Sequence, residues 1–345
     1  MPSVADEIAA AVTASGPLRF DHYVRIALYG AAGFYVTGGV AGRRGDFITS
    51  PEVGPLFGTV LARYIASEWE RMERPNDFVV MEVGAGPGTL ARSITVALAA
   101  LGVPARYVAV EVSAAQRSAH PPTVVSLAAT PTEPMVGVVI ANELLDNLPF
   151  RLLVFDDGWR EAFVHVEHGR CIEVLGPLAH RPRWLPERAP LGARVPWQQE
   201  AQRWVGDTLS SITGGSLVAF DYVSTCTADL ATGPWRQWLR TYRRHERGSH
   251  YLDAPGSQDI TAQVALDQLP SPTAVRTQEQ FLLEWGIDEL VEEGRQAWAA
   301  AASAPTVAAM TMRSRIREAE ALLDPAGLGA FLALTWSSPT AREVA

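Results

Sequence analysis

Lysine is missing from this sequence altogether, and cysteine is scarce. All 29 basic residues of the 345-residue chain are arginine. This excludes chemistry that depends on a lysine, such as the Walker-A phosphate loop, kinase ATP binding, a pyridoxal Schiff base or a lysine nucleophile. Cys171 and Cys226 are too few for a four-cysteine zinc site, an iron–sulfur cluster or a disulfide framework. Such cysteine usage indicates a reduced, cytoplasmic setting.

The sequence also lacks the segments that direct proteins to or across membranes. Asp6 and Glu7 precede the first basic residue, Arg19, and there is no long apolar run, so we expect no signal peptide, transit peptide or membrane span. The seven histidines form no H-x-x-x-H pair, and His165 and His168 should point to opposite faces of a strand, so we expect no metal. A net charge of −9 provides no basic field for nucleic acid or anionic lipid.

What the chain does contain is typical of a globular enzyme with a sizeable core, since 48% of its residues are hydrophobic and 19% charged. Apolar runs predict buried strands at 78–83, 107–111, 124–127, 136–141, 216–222 and 331–336. Helical spacing predicts helices at 90–98, 197–212 and 277–285. Strands that alternate with helices form a parallel sheet covered on both faces.

The segments outside this pattern are predicted to differ from it. Residues 1–30 are predicted as one or two helices, and the glycine-rich stretch 30–50 is too irregular for a regular element. Ser50 is predicted to cap a helix that has Pro51 at its first position and runs to about residue 71. Two later segments are predicted as insertions, at 152–212 (antiparallel strands) and 225–270.

Glycines are concentrated directly after the first predicted strand, in Glu82-Val83-Gly84-Ala85-Gly86-Pro87-Gly88-Thr89-Leu90. They let the backbone turn sharply and approach a ligand without a Cβ in the way. Thr89 stands where a dinucleotide fingerprint needs glycine or alanine, which disfavours a nicotinamide dehydrogenase. An acid followed by G-x-G-x-G is typical of S-adenosylmethionine (SAM) sites, where Glu82 would stabilise the positive charges. The predicted cofactor contacts in this turn are Glu82, Gly84, Ala85, Gly86, Gly88, Thr89 and Leu90.

Glu111 ends the second predicted strand, 23 residues after Gly88. A carboxylate at the carboxyl end of a strand can accept both ribose hydroxyls of a nucleoside. We therefore predict that Glu111, with Val112 and Ser113 after it, contacts SAM; the alternative is an ordinary surface glutamate.

Several sequence blocks resemble the MidA-type SAM-dependent methyltransferases, and the resemblance covers nearly the whole chain. The most specific blocks are Gly45-Asp46-Phe47-Ile48-Thr49-Ser50-Pro51-Glu52 and Asn142-Glu143-Leu144-Leu145-Asp146-Asn147-Leu148-Pro149. Further blocks are Ala27-Leu28-Tyr29-Gly30, Val110-Glu111-Val112-Ser113, Asp221-Tyr222, Asp259-Ile260-Thr261 and Thr277-Gln278. The chain departs from the family at Ala85, Pro87, Leu144, Leu145, Asn147 and Val223, and other stretches look typical of an actinobacterial branch.

The resemblance implies an α/β fold of the class I SAM-methyltransferase type, a Rossmann-like, mostly parallel seven-stranded sheet with an N-terminal helical extension and inserted segments. The implied organisation is a helical cap with a SAM-covering loop at 1–74, core segments at 75–151, 213–224 and 271–345, and insertions at 152–212 and 225–270. The mitochondrial member of the family assists complex I assembly by methylating an arginine of a partner subunit. Arginine of a protein is therefore the first acceptor to expect, with S-adenosylhomocysteine as the second product. A small-molecule acceptor and a SAM-binding assembly chaperone with negligible turnover are the alternatives.

Asn142, Glu143 and Asp146 follow the fourth predicted strand, at the edge of a parallel sheet where ligands bind. Glu143 and Asp146 share a face if a helical turn begins at Leu144. Two carboxylates can hold a guanidinium and accept the proton that it loses on methylation. Alternatively, Asn142 and Asp146 only cap a helix or bind SAM. The resemblance also implies that the loop with Asp46, Thr49 and Ser50 closes over SAM, with Asp46 on the substrate side. Asp221 and Tyr222 end a predicted strand of the sheet and are predicted to line the substrate pocket; the alternative for Tyr222 is a tyrosine of the core.

One cluster of basic and aromatic residues lies in the second predicted insertion. Its members are Trp235, Arg236, Trp238, Arg240, Tyr242, Arg243, Arg244, His245, Arg247 and His250. It either docks an acidic partner or substrate, or forms the solvated face of a helix. Five arginines neutralise too few phosphates to predict nucleic-acid binding. We expect a protein or small-molecule acceptor, no nucleic acid and no membrane contact, and we leave a homodimer open.

Overall fold

The computed structural model of this chain describes residues 2–37, 49–243, 246–301, 303–304 and 306–338. Its helices are α1 Val4–Ser15, α2 Phe20–Tyr29, α3 Phe34–Thr37, α4 Ser50–Val53, α5 Leu56–Arg71, α6 Thr89–Ala100, α7 Ala114–Arg117, α8 Gln199–Ser211, α9 Thr227–Thr232, α10 Gln278–Glu284, α11 Ile287–Ala300 and α12 Val307–Leu322. Its strands are β1 Leu18–Arg19, β2 Val79–Val83, β3 Arg106–Val110, β4 Val125–Leu127, β5 Met135–Asn142, β6 Arg151–Phe155, β7 Trp159–Glu167, β8 Arg170–Pro177, β9 Arg194–Trp197, β10 Ile212–Asp221, β11 Val223–Ser224, β12 Leu239–Arg243, β13 Glu246–Arg247, β14 Asp259–Ala262, β15 Val264–Ala265, β16 Ala274–Thr277 and β17 Leu332–Ser337.

A seven-stranded sheet runs through the molecule in the order β16-β17-β10-β5-β2-β3-β4. The strands β10, β5, β2, β3 and β4 are parallel to one another, and β17 is antiparallel to both β10 and β16. Both faces are apolar because helices cover both: Val80 and Ile140 pack against α5, α6 and α10 to α12, and Met81 and Val139 against α8. The predicted α/β fold with a mostly parallel seven-stranded sheet is confirmed.

The strands and helices predicted for this sheet are all present, but β10 begins earlier than expected. Gly214 and Gly215 precede the predicted strand 216–222, whereas both lie within β10. Gly215 is paired with Gly137 of β5, and a Cβ on Gly215 would lie 1.9 Å from the Gly137 carbonyl oxygen. These glycines therefore serve close approach of two backbones.

The single helix predicted from Ser50 to about residue 71 is wrong, and so is the capping role of Ser50. Thr49 occupies the N-cap position, and Ser50 begins the one-turn helix α4, which ends before Gly54-Pro55. A residue before proline avoids the helical conformation, and proline has no N–H to donate, so the chain breaks and α5 starts again at Leu56.

The N-terminal helices pack against the two insertions and share a hydrophobic cluster with them, to which Phe20, Phe150 and Tyr251 belong. The antiparallel strands predicted in the first insertion are present as β6, β7 and β8, and β1 pairs with β7 in the same sheet. The helix considered for the basic cluster is wrong. Most of its described residues lie in a 3₁₀ turn, Trp235–Gln237, and in the strands β12 and β13, which join β14 in a three-stranded sheet. No helix in the described ranges is long and apolar enough to span a membrane.

Candidate active site

The glycine turn connects β2 to α6 in a conformation that requires glycine. Gly84, Gly86 and Gly88 have φ angles of +75°, +52° and +78°, in the left-handed region that other residues rarely adopt. A Cβ on Gly86 would lie 3.2 Å from Oε1 of Gln116, and one on Gly88 would lie 3.1 Å from Cδ of Pro121. The turn is therefore a concave stretch of backbone without side chains, which we call the cradle. A side chain at Gly86 or Gly88 would fill it.

Glu111 lies against this cradle with its carboxylate buried. Its Oε2 accepts a hydrogen bond from the Gly86 amide (3.0 Å), and its Oε1 accepts one from the Ser113 amide (2.8 Å). Each carboxylate oxygen has a further lone pair, so Glu111 can still accept hydrogen bonds from a ligand's hydroxyls. Val112, which lies between Glu111 and Ser113 in the sequence, is half-exposed.

Glu82 is buried in β2, beneath the cradle. Tyr107 Oη donates a hydrogen bond to its Oε2 at 2.7 Å. Burial raises the pKa of the Glu82 carboxyl to about 8, against the effect of this hydrogen bond. A protonated carboxyl carries no negative charge. The predicted contact of Glu82 with the positive groups of SAM therefore requires that a nearby cation lower this pKa and ionise the carboxyl. That role of Glu82 stays a prediction.

The segment around α4 lies against the cradle and reaches the end of β5. Thr89 Oγ1 donates to Oε1 of Glu52 (2.7 Å), and the Ser50 amide hydrogen bonds to the Glu143 carboxyl. Thr49 and Ser50 are both buried there. The structure thus brings Thr49 and Ser50 to the predicted cofactor site, while Asp46 lies outside the described residues.

Asn142 ends β5 beside the cradle, because Ala141 is paired with Val83 of β2. Its Nδ2 donates to Glu143 Oε1 at 3.2 Å, while its Oδ1 is buried without a hydrogen-bond partner in the described part of the chain. Buried amide oxygens nearly always accept a hydrogen bond, so this one indicates a place for a ligand's donor. The open cradle, the Glu111 carboxylate and this oxygen together fit a nucleoside that carries an ammonium group.

Four carboxyl groups meet where the chain turns after β5: Asp146, Asp221 and Asp259 are buried, and Glu143 is partly buried. Glu143 has a φ of +50°, an uncommon value for a residue with a side chain, of the kind often found at functional sites. Burial raises the pKa of Glu143 to about 8, and repulsion from Asp146 adds to this shift. Burial also raises the pKa of Asp146 to about 6 and that of Asp259 to about 7.

A pocket opens beside these carboxyl groups. Its lining consists of Glu143, Asp146, Asn147, Tyr222, Trp238, Arg240, Tyr242, Asp259, Thr261 and Gln263. Thr261 Oγ1 donates to Oδ2 of Asp146, whereas Oδ1 of Asp146 and Nε1 of Trp238 are buried without partners within the described ranges. Oδ1 of Asp259 accepts hydrogen bonds from Tyr35 Oη (3.0 Å) and Asn147 Nδ2 (3.1 Å). The pocket combines aromatic walls with carboxyl groups that have unused acceptor capacity.

Asp221 ends β10 and Tyr222 follows it; both were predicted to contact substrate, and they lie at different depths. Asp221 is fully buried behind the pocket, where its Oδ2 accepts from the amides of Leu145 (2.9 Å) and Asp146 (3.4 Å). It thereby holds the 3₁₀ turn that carries Asp146. Tyr222 lines the pocket itself, with its ring centroid 3.9 Å from that of Phe331.

Sequence reasoning named Glu143 and Asp146 for this pocket and placed Trp238 only in the basic and aromatic cluster, but it assigned no role to Asp259 or Thr261. The block Asp259-Ile260-Thr261 was a usable signal, because it carries a carboxylate and a hydroxyl on alternate residues of a strand. Among the described residues, no group of three or more histidines, cysteines and carboxylates is arranged to hold a metal ion.

Comparisons with known proteins agree with this geometry. Residues 60–281 match the model of a family described as S-adenosyl-L-methionine-dependent methyltransferase. A crystal structure from Burkholderia thailandensis, of a methyltransferase-like protein bound to S-adenosylhomocysteine, superimposes with a TM-score of 0.83 at 28% identity, over 97% of this chain and 92% of that one. The mitochondrial protein arginine methyltransferase NDUFAF7 homolog of Drosophila melanogaster is 28% identical over 76% of this chain and 68% of its own. The Homo sapiens protein of that name is 26% identical, over 80% and 72% respectively.

Proposed function

Because the chain belongs to the family of SAM-dependent methyltransferases, we propose that it methylates an arginine side chain of another protein. SAM is the cofactor and the chain is an enzyme, as the family and the related structure bound to S-adenosylhomocysteine establish. The proposal adds the acceptor and the residues that act on it. It is supported by the acidic pocket and by the names of the curated relatives, which are protein arginine methyltransferases.

We assign SAM to the cradle between β2, β3 and β5. In this assignment Glu111 accepts the ribose hydroxyls, and Asn142 Oδ1, the buried oxygen without a partner, accepts from the ammonium group. Thr49 and Ser50 close the site from the side of α4, and Thr89 ties that segment to α6 through Glu52. Bound SAM supplies a methyl group that its sulfonium already activates. The chain therefore has to bind, orient and deprotonate the acceptor.

The pocket that Glu143, Asp146 and Asp259 line is the single observation that carries the arginine assignment. A guanidinium is a planar cation with five N–H donors, and it binds carboxylates in parallel pairs. It also stacks on aromatic faces, which Tyr222 and Trp238 provide in this pocket. A neutral acceptor would leave these carboxyl groups with one compensating cation, Arg240, among the described residues that line the pocket.

We further propose that Glu143 accepts the proton that the guanidinium loses on methylation. Burial raises the pKa of Glu143 to about 8, close to neutral pH, where a carboxylate is an effective proton acceptor. Asp146 and Asp259 hold the guanidinium, since Thr261 fixes the first and Tyr35 and Asn147 fix the second. The second insertion, 225–270, contributes Trp238, Arg240 and Asp259 and is in this view part of the acceptor site. The cytoplasmic location stays a prediction from the sequence.

The test is to incubate the purified enzyme with methyl-labelled SAM and a lysate of its own host that lacks this protein. We expect label in a protein band, recovered as methylarginine by mass spectrometry. Glu143→Gln should abolish the label, and the matched control Glu167→Gln, an exposed residue at the end of β7, should keep it.

Two results would contradict the proposal. Label confined to the small-molecule extract would assign the pocket to a metabolite. Label on a protein residue other than arginine would leave a protein methyltransferase with a different acceptor.

A further inference from the structure

The three-stranded sheet β13-β12-β14 presents one face to the acceptor pocket. Arg240 and Tyr242 of β12 line this pocket, as do Asp259 and Thr261 of β14. Tyr242 is directly opposite Asp259 on one side and Arg247 of β13 on the other, and Arg240 is opposite Thr261. Residues directly opposite each other in antiparallel strands have their side chains on the same face. Arg247 therefore belongs to the pocket face, at the outer edge of the sheet.

Charge changes sign across this face. Asp259 on β14 is buried beside Asp146, while Arg240 is half-buried and Arg247 is exposed. The row Asp259, Tyr242, Arg247 thus leads from a buried carboxyl group, past an aromatic ring, to an exposed guanidinium. Arg244 and His245, between β12 and β13, lie outside the described residues.

Arg240 is a cation in an acidic pocket without a close carboxylate partner. Its guanidinium carbon lies 5.2 Å from the centre of the Tyr222 ring, and its Nε donates to the Gln237 carbonyl oxygen at 2.6 Å. Within the described part of the chain no ion pair of 4 Å or less involves Arg240. Its charge is near enough to stabilise the ionised form of Asp146.

A cation in this position opposes the binding of the acceptor proposed above. A guanidinium that enters the pocket meets the attraction of the carboxyl groups and the repulsion of Arg240. An acceptor with a negative group beside its arginine avoids this repulsion, because that group can meet Arg240 and Arg247 while the guanidinium meets Asp146 and Asp259. An acceptor surrounded by basic residues meets repulsion at both arginines.

We propose that Arg240 and Arg247 select acceptor arginines that have an aspartate or glutamate next to them in the sequence. This inference rests on the proposed function, because it presupposes that an arginine enters the pocket. It identifies the partner by chemistry, as an acidic segment of a protein with a single arginine in it.

The experiment measures fluorescence anisotropy of short labelled peptides with the enzyme saturated with S-adenosylhomocysteine. The peptides carry a central arginine between two glutamates, two glutamines or two lysines, and a fourth has a central glutamine between glutamates. At low salt the glutamate-flanked arginine peptide should bind about five- to tenfold more tightly than the glutamine-flanked one, and the lysine-flanked one most weakly. Added salt should reduce this difference.

Single substitutions then test which residues cause the preference for glutamate-flanked peptides. Arg240→Gln and Arg247→Gln should each reduce the preference for glutamate flanks, and Arg247→Glu should shift it toward lysine flanks. Arg243→Gln is the matched control. Arg243 is an exposed arginine on the same strand, and because it is paired with Glu246 it belongs to the opposite face. Thermal unfolding of each variant verifies that it is folded.

The outcomes separate this inference from the proposed function. Equal binding of glutamate- and glutamine-flanked arginine peptides, both tighter than the central-glutamine peptide, overturns the selectivity and leaves the arginine pocket. A preference that Arg243→Gln weakens as much as Arg247→Gln does also overturns it, because a general field of positive charge then explains the result. If the central-glutamine peptide binds as tightly as its arginine counterpart, the proposed function fails and this inference fails with it.

Discussion

Carboxyl groups with raised pKa values occur in two different settings in this molecule. Glu82 is buried inside the sheet, where the Tyr107 hydroxyl donates a hydrogen bond to its Oε2. Glu143 shares its surroundings with Asp146 and other acids and lines a pocket. We therefore expect titration of Glu82 to affect chiefly the stability of the fold, and titration of Glu143 to affect chiefly the proposed methyl transfer.

Glu82→Gln should change how stability depends on pH. The folded protein keeps the Glu82 proton up to a pKa of about 8, whereas the unfolded chain releases it near 4.5. The folded state thus binds more protons between these values, so the wild-type protein loses stability as pH rises. The glutamine variant is spared this loss. Its advantage in the free energy of unfolding, measured by urea titration, should be small at pH 5 and reach roughly 2–4 kcal/mol at pH 9.

Glu133→Gln, at an exposed glutamate before β5, is the control for this effect and should show the wild-type pH profile. Parallel profiles for Glu82→Gln and the wild-type protein would mean that Glu82 is ionised in the folded state. That result would favour a direct role of Glu82 beside the charged groups of SAM.

Asp146→Asn should move the pH dependence of methyl transfer. After burial, repulsion from Asp146 is the largest cause that raises the pKa of Glu143. Removal of this charge should lower that pKa, so that ionised Glu143, the proposed proton acceptor, is present at lower pH. The rising limb of kcat/KM against pH, with an arginine peptide, should shift to lower pH while the maximal rate falls. The control Asp207→Asn, on the exposed side of α8, should leave the rising limb of the pH profile in place. If the rising limb does not shift in Asp146→Asn, the result contradicts the proposed role of Glu143.

At the scale of elements, the glycine turn depends on local conformation more than on packing. Gly86 and Gly102 both have positive φ angles, +52° and +71°, but only Gly86 is in the cradle. Around Gly102 nothing lies within 4 Å of the position that a Cβ would take, and around Gly86 the Gln116 side chain lies at 3.2 Å. Gly102 is therefore a matched control for Gly86, because both have a positive φ and only Gly86 lies in the cradle.

Gly86→Ala should weaken binding of S-adenosylhomocysteine by at least about tenfold in isothermal titration calorimetry, because the left-handed conformation costs alanine roughly 1–2 kcal/mol and the Gly86 amide is bonded to Glu111. Gly102→Ala should lose a similar amount of stability and retain wild-type affinity. Equal affinity for both variants would show that the ligand does not use this turn.

Two element boundaries were predicted wrongly, one at the local break before Leu56 and one at the start of β10, and both involve contacts with residues far away in the sequence. The chain between Gly54 and Leu56 reads as helical by its apolar spacing, but Pro55 interrupts it, and the buried Glu318 of α12 accepts a hydrogen bond from the Leu56 amide at 2.9 Å. A partner 262 residues away is not visible in a window of a few turns. Likewise, Gly214-Gly215 signals a turn unless it is known that β10 lies beside Gly137 of β5.

At the scale of the whole molecule, the N-terminal helices and both insertions share one core. Phe20 of α2 is fully buried, with its ring centroid 5.4 Å from that of Phe150, which precedes β6, and 5.2 Å from that of Tyr251 in the second insertion. Tyr23 Oη also donates to the Tyr251 carbonyl oxygen at 2.6 Å. Segments far apart in sequence therefore depend on one another for burial.

Phe20→Ala should destabilise these three segments together. Truncation of a buried phenylalanine leaves a cavity that costs about 3–5 kcal/mol. Hydrogen exchange measured by mass spectrometry should accelerate in α2, in β6 and β7 and around Tyr251, and less in the seven-stranded sheet. Leu191→Ala, at a side chain that is 79% exposed, should change stability by no more than about 0.5 kcal/mol. Faster exchange confined to α2 would show that the segments fold independently.

The sequence by itself determined the parallel sheet, the glycine turn and the placement of Glu111, Glu143 and Asp146, because each depends on neighbours within one strand–turn–helix unit. Apolar runs, positive-φ glycines and carboxylates at strand ends are local signals with local causes. Only the tertiary structure decided that Asp259 and Thr261 join Asp146, that Asp221 supports the turn from behind, and that Arg240 stands in an acidic pocket. These contacts join residues more than 70 positions apart: Asp221 lies at the end of β10 beside the turn after β5, and Asp259 and Thr261 come from the segment 225–270.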